Sequence, residues 1–141
     1  MTRENLIKIA FEVRENAYVP YSHFKVGAAL LGVSGKVYTG CNVECASYGG
    51  TNCAERTALF KAVSEGETQF TTIAVVGDPA AYTFPCGICR QVLVEFGADL
   101  EVIVAKTPKD YQVFTLNEIL PHSFTPKDLE DHRCEEDCHE L

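Results

Sequence analysis

Two short segments restrict this chain more than any other feature of it. Thr51-Asn52-Cys53-Ala54-Glu55-Arg56 stands at the start of a predicted helix, Cys53–Ser64. Pro85-Cys86-Gly87-Ile88-Cys89-Arg90 stands at the start of another, Cys86–Phe96. Between these helices Thr72–Val76 is an apolar run bounded by turn residues, which predicts a buried strand, and Glu101–Ala105 predicts a second. The alternation of strands and helices argues for a sheet covered by helices on its faces.

The flanks fit the same plan. Leu6, Ile9, Ala10, Val13 and Ala17 recur at helical spacing and predict a helix over Met1–Tyr18, broken by Pro20. Phe24–Leu31 predicts a strand, Gly32-Val33-Ser34-Gly35 a turn, and Lys36–Thr39 the returning strand of a hairpin. Gly40–Asn52 and Asp78–Pro85 read as loops, and Pro85 and Gly97 punctuate the third helix. Tyr111–Phe114 predicts a last strand and Leu116–Leu120 a short helix. The chain has no internal repeat, and its 141 residues suit one domain. We expect that domain over residues 1–129, followed by an acidic tail over 130–141.

Charge and cysteine usage narrow the function. With 12 Lys and Arg against 20 Asp and Glu, the net charge is −8. No basic run is dense enough to replace the counterions of a polynucleotide, so no nucleic-acid partner is expected. No stretch is long and apolar enough to span a membrane, and the charged N-terminus lacks the apolar core of a signal peptide. The 7 cysteines, an odd number, suit a reducing compartment better than a disulfide framework. The expectation is a cytoplasmic protein acting on a small, nearly neutral molecule.

Cys86 and Cys89 have the two-residue gap that lets two sulfurs grip one metal ion, and Cys53 stands at an equivalent helix start. Helix N-termini carry partial positive charge, which favours thiolates. Three protein ligands leave one position of a tetrahedral zinc open for water, the arrangement of a catalytic site. Zinc lowers the pKa of such a water from about 15.7 towards about 7. Three thiolates over-neutralise a divalent ion, so charge must be drawn off the sulfurs. Arg56, three residues past Cys53, is placed to donate to them. Glu55 is close to the metal without being needed as a ligand, and suits the acid/base role that hydrolytic removal of an amine requires.

Each feature taken singly has a plainer reading. Cys86 and Cys89 could be buried apolar side chains or a redox pair, and Glu55 could complete a capping box from an N-cap at Asn52. Cys-x-Glu and Pro-Cys-x-x-Cys, each opening a helix with a strand between them, are together far more specific than either alone.

That combination resembles the three-cysteine variant of the zinc nucleobase deaminase signature. The resemblance continues through Tyr18-Val19-Pro20-Tyr21-Ser22, Phe24-Lys25-Val26-Gly27-Ala28-Ala29-Leu30, Gly40-Cys41-Asn42-Val43-Glu44, Ala46-Ser47-Tyr48, Cys89-Arg90-Gln91-Val92 and Leu120-Pro121. Over residues 1–129 the chain is similar to the small, homotetrameric zinc-dependent cytidine deaminases. The resemblance implies an α/β fold, a three-layer α/β/α sandwich with a five-stranded mixed sheet. It implies one zinc ion per chain on Cys53, Cys86 and Cys89, with Glu55 as acid/base on zinc-activated water. It implies cytidine and 2′-deoxycytidine as substrates, in pyrimidine salvage. Asn42 and Glu44 would hold the ribose, where the plainer reading is a polar turn. Phe24 would pack on the pyrimidine, where the plainer reading is a core aromatic. Tyr48 and Phe124 occupy positions that resemble contacts shared between subunits of a homotetramer.

Three places depart from the family pattern or stand outside it. Cys45 replaces an expected polar residue, and Gly49-Gly50 loosens a loop that usually carries a bulkier side chain. His132, Cys134, Cys138 and His139 offer a second set of metal donors in the tail, against which Glu135, Glu136 and Asp137 argue for a solvated segment. His23 and His122 are expected at the surface. The rival readings are a deaminase of another cytosine nucleoside such as blasticidin S, a structural zinc module, and a polynucleotide editor.

Overall fold

The computed structural model describes residues 1–130. In chain order its elements are α1 (Arg3–Arg14), β1 (Gly27–Gly32), β2 (Val37–Cys41), a 3₁₀ turn (Tyr48–Gly50), α2 (Ala54–Ser64), β3 (Phe70–Val76), α3 (Gly87–Val94), β4 (Glu101–Thr107), β5 (Asp110–Thr115), α4 (Leu116–Ile119) and α5 (Pro126–Glu130). Alternation in the central strands sets the layers. Ala28 and Leu30, Ile73 and Val75, and Val102 and Val104 face one side, where α2 contributes Ala54, Ala58, Leu59 and Ala62, α3 Leu93 and Val94, and α4 Leu116. Ala29, Ala74, Val76, Ile103 and Ala105 face the other, under Leu6, Ile7 and Ala10 of α1. The result is the expected three-layer α/β/α sandwich.

The sheet order is β2-β1-β3-β4-β5, and β3 and β4 pair in parallel while the other neighbours are antiparallel. Gly27 at the start of β1 pairs with Cys41 at the end of β2 and with Val76 at the end of β3. Those three strand ends therefore share one edge of the sandwich. The chain leaves β2 towards α2 and β3 towards α3 there, so both helix N-termini open on that edge. Gly40 lets α2 lie directly on β2, since a Cβ at that position would come within 2.3 Å of the Ala54 carbonyl oxygen and 2.4 Å of the Ala58 nitrogen.

Several boundaries differ from the sequence expectation, each for a tertiary reason. α1 ends at Arg14 rather than Tyr18. Tyr18 is pulled into an extended bridge with Val43, its N–H donating to the Asn42 carbonyl at 3.0 Å and its carbonyl accepting from Glu44 N at 2.9 Å. The buried stripe of α1 is Leu6, Ile7 and Ala10, so Ile7 joins Leu6 and Ala10 of the predicted face, while Ile9, Val13 and Ala17 are only partly buried. β1 begins at Gly27, not Phe24, because the Asn42 side chain holds the preceding residues. Its Oδ1 accepts from Val26 N at 2.9 Å, and its Nδ2 donates to the Phe24 carbonyl at 2.8 Å. The 3₁₀ turn at Tyr48–Gly50 and α5 fall where the sequence predicts no helix. Their shortness leaves no periodicity, although Asp128 Oδ2 accepting from Thr125 N at 2.7 Å is a helix-start contact. α5 runs to Glu130, the last described residue, and His132, Cys134, Cys138 and His139 lie outside the described residues. His23 and His122 are exposed, both with left-handed backbone (φ 58° and 55°).

Candidate active site

Cys53 and Cys86 are the N-cap residues of α2 and α3, so each predicted helix begins one residue later than expected. No side chain caps α2. Asn52 donates Nδ2 to Thr57 Oγ1 at 2.9 Å instead, and Thr57 Oγ1 donates to the Cys53 carbonyl at 3.1 Å. The capping-box reading of Asn52 and Glu55 is thereby corrected. The Glu55 side chain is released from backbone duty at Asn52 and buried, with 3 % of the residue exposed. In α3 the Cys86 sulfur accepts from Cys89 N at 3.5 Å.

The three sulfurs of Cys53, Cys86 and Cys89 lie within 4.8 Å of one another. Cys53 and Cys86 are 3.7 Å apart, far beyond the disulfide bond of about 2.05 Å. Two sulfurs each about 2.3 Å from one tetrahedral zinc would be about 3.8 Å apart. The donor chemistry and the spacing fit zinc, and no fourth His, Cys, Asp or Glu joins this cluster among the described residues.

The charges are arranged to keep the cluster anionic. The Cys53 thiol is drawn down to about 5, first by the hydrogen bond from Cys89 and then by Arg56, against the opposing effect of burial. Arg56 Nη2 donates to the Cys53 sulfur at 3.3 Å, so the predicted contact from one turn along the helix is in place. Cys89 retains the proton it shares with Cys53 and is pushed up by that bond, by burial and by the Glu55 carboxylate. Burial pushes Glu55 above the usual carboxylate range, with the Cys53 charge adding to it against a hydrogen bond from Cys89.

Of the residues singled out in the sequence, Phe24, Asn42, Glu44, Cys53, Glu55 and Cys86 line one cavity of about 330 Å³. Cys89 is fully buried in the sulfur cluster. Phe24 is 44 % exposed, which corrects its reading as a core aromatic. Gly77 lets its ring approach Thr83, since a Cβ there would lie 2.2 Å from Thr83 Oγ1 and 3.1 Å from Phe24 Cζ. Glu44 Oε1 accepts from the Tyr21 and Ser22 amides, each at 3.1 Å. Hydrogen bonding to Ser22 and Tyr21 keeps this carboxylate below its ordinary range. Ser22, Val26, Ala54, Thr83 and Phe84 line the same cavity without having been expected there. Thr83 and Phe84 immediately precede Pro85-Cys86, a signal that adjacency alone would have supplied.

Tyr48 lines a neighbouring cavity of about 390 Å³ with Tyr21 and Thr51, and Ser22 and Glu44 are the wall common to both. Phe124 lines neither cavity. Its ring is exposed, and its carbonyl accepts from Gln91 Nε2 at 2.7 Å.

Comparison with known proteins places this geometry among relatives. Residues 1–106 match the family described as the cytidine and deoxycytidylate deaminase zinc-binding region. The chain is 54 % identical to a cytidine deaminase of Halalkalibacterium halodurans over 93 % of its own length and 100 % of the relative. It is 48 % identical to a cytidine deaminase of Sporosarcina psychrophila, over 92 % and 96 %. The crystal structure of cytidine deaminase from Burkholderia pseudomallei superposes with a TM-score of 0.84 at 51 % identity, covering 88 % of this chain and 100 % of that one.

Proposed function

The chain belongs to the cytidine and deoxycytidylate deaminase family, and on that premise we propose that it hydrolyses cytidine and 2′-deoxycytidine to uridine and 2′-deoxyuridine with release of ammonia. The observation that carries this reading is a buried carboxyl, Glu55, in the same cavity as an incompletely closed sulfur cluster. Cys53, Cys86 and Cys89 would hold zinc, whose Lewis acidity would bring the pKa of water towards neutrality. Glu55 takes a proton from the attacking water and delivers it to N3 as the water oxygen bonds to C4, then moves the proton left on that oxygen to the amine, which departs as ammonia when the C4–N bond breaks. Its burial, which favours the protonated form, suits it to hold that proton between transfers. Arg56 draws charge from the Cys53 sulfur.

The remaining residues orient the nucleoside. Glu44 has one oxygen engaged by backbone amides and one left for a ribose hydroxyl. Asn42 has one Nδ2 hydrogen left after holding Phe24 and Val26. Phe24 presents its ring to the pyrimidine. The family name spans nucleosides and nucleotides, and the lining favours nucleosides. Among the described residues, Glu44 and Glu55 are the carboxylates of the cavity, and no Lys, Arg or His lines it to receive a phosphate. A structural zinc module leaves the buried Glu55 unused. Blasticidin S as substrate is not favoured by relatives named for cytidine.

The test follows the ultraviolet change from cytidine to uridine in purified protein assayed for zinc. Cytidine and deoxycytidine turn over with about one zinc per chain, and cytidine 5′-monophosphate has a kcat/KM lower by about 100-fold or more, about 2.7 kcal/mol of lost transition-state binding. Zinc-loaded protein inert on cytidine would sink the assignment.

The reading extends to a homotetramer with shared active sites. An apolar groove of about 570 Å³ between α2 and α3 includes Phe60, Val63, Val92 and Phe96, and Phe60 is half exposed. Tyr48 and Phe124 are likewise exposed, as residues awaiting a neighbour would be. Sedimentation equilibrium at micromolar concentration gives four times the chain mass; a monomer that retains full activity ends this part of the reading. A role in pyrimidine salvage fits free nucleosides as substrates. The five cysteines among the described residues are free, which supports a cytoplasmic setting that cell fractionation checks. Among those residues no helix is long and apolar enough to cross a membrane.

A further inference from the structure

Arg90, the residue after Cys89, touches no sulfur donor and lines no part of the catalytic cavity, yet both ends of its guanidinium are committed. Nε donates to the Pro85 carbonyl at 2.7 Å, and Nη1 donates to the Ile119 carbonyl at 2.6 Å. Pro85 immediately precedes Cys86 and has no N–H with which its own residue could be tied to a neighbour. Ile119 ends α4, where backbone carbonyls lack intrahelical partners. One planar fork thus joins the chain leading into α3 to the end of α4, using two acceptors that the local backbone leaves open.

The three sulfur donors differ in how firmly their surroundings hold them. Cys89 is fully buried, Cys53 is half-buried and bonded by Arg56, and Cys86 is exposed. Cys86 is therefore the donor that solvent or a competing ligand reaches first, and the one whose backbone needs fixing from outside the cluster. We propose that Arg90 is a positioning residue of the zinc site. By holding the Pro85 carbonyl against α4, it fixes the backbone one residue before Cys86 and keeps that sulfur at ligating distance from its two partners. The inference rests on the zinc reading given above. A lysine at this position gathers its donors on one nitrogen and lacks the planar fork that joins the two carbonyls.

The experiment measures zinc transfer from the full-length holoprotein to a chromogenic chelator, well below each variant's Tm. Arg90→Gln releases zinc about 10-fold faster or more, in the range typical of residues supporting a metal ligand. Arg90→Lys is intermediate. In steady state kcat falls while KM changes little, because Arg90 does not line the cavity. Ile103→Val, on the opposite side of the sheet under α1, lowers stability but releases zinc at the wild-type rate. A wild-type release rate in Arg90→Gln, or an equal acceleration in Ile103→Val, overturns the inference and leaves the zinc site standing. Wild-type protein that holds no zinc overturns both.

Discussion

Exchanging Glu55 for glutamine lowers kcat on cytidine by about 10³-fold or more and leaves about one zinc per chain. General acid–base catalysis is worth about 10²–10⁴-fold, and a residue that serves successive proton transfers belongs in the upper part of that range. Glutamine keeps the shape of the side chain and a hydrogen-bonding oxygen, but it cannot accept the proton from water. The variant also separates chemistry from folding. Glu55 is 3 % exposed, and its charged form is disfavoured there by burial and by the Cys53 thiolate. A neutral amide avoids that cost, so the Tm of the variant is at or above that of the wild type. Enzyme assays beside calorimetry and metal analysis check all three quantities. Retention of more than about a tenth of the activity would remove Glu55 from the proton-transfer role.

The part of this centre that is legible in the sequence is the part built from local geometry. Cys53, Glu55, Cys86 and Cys89 each sit at a fixed offset from a helix start, and helix starts are signalled by neighbouring residues. The sheet is legible for a similar reason. β3 and β4 are buried on both faces, so Ile73–Val76 and Val102–Ala105 read as continuous apolar runs. A run of this kind needs no partner to be recognised.

What escapes a sequence reading depends on contacts between distant parts of the chain. Asn42 stands out as a candidate for the ribose, but nothing in its neighbourhood says that its amide substitutes for a strand and starts β1 at Gly27. The early end of α1 has the same origin, since Tyr18 is claimed by Val43. Arg90 is visible only as part of a familiar string, and its partner Ile119 is brought near by the fold of α4. Tyr48 and Phe124 are a different case. Their rings are exposed in the single chain, and the shared contacts expected of them belong to the proposed tetramer.

Exchanging Cys89 for alanine separates the proposed zinc centre from the second set of donors in the tail. Cys89 is fully buried, and alanine removes the sulfur without adding a polar group to the site. Loss of one of three protein ligands weakens zinc binding more than loss of a supporting residue, which typically costs about 10–100-fold. At free zinc 100 times the wild-type Kd, binding stabilises the wild-type fold by about 2.7 kcal/mol. A variant weakened by about 100-fold gains only about 0.4 kcal/mol under the same conditions. For a domain of this size the difference corresponds to roughly 8 °C of zinc-dependent Tm, present in the wild type and mostly lost in the variant. Turnover of cytidine falls in parallel, because each chain without zinc leaves Glu55 with water of ordinary acidity. If Cys89→Ala instead kept the full zinc-dependent rise, the ion would have to be held elsewhere. His132, Cys134, Cys138 and His139, which lie outside the described residues, would then be the donors to replace next.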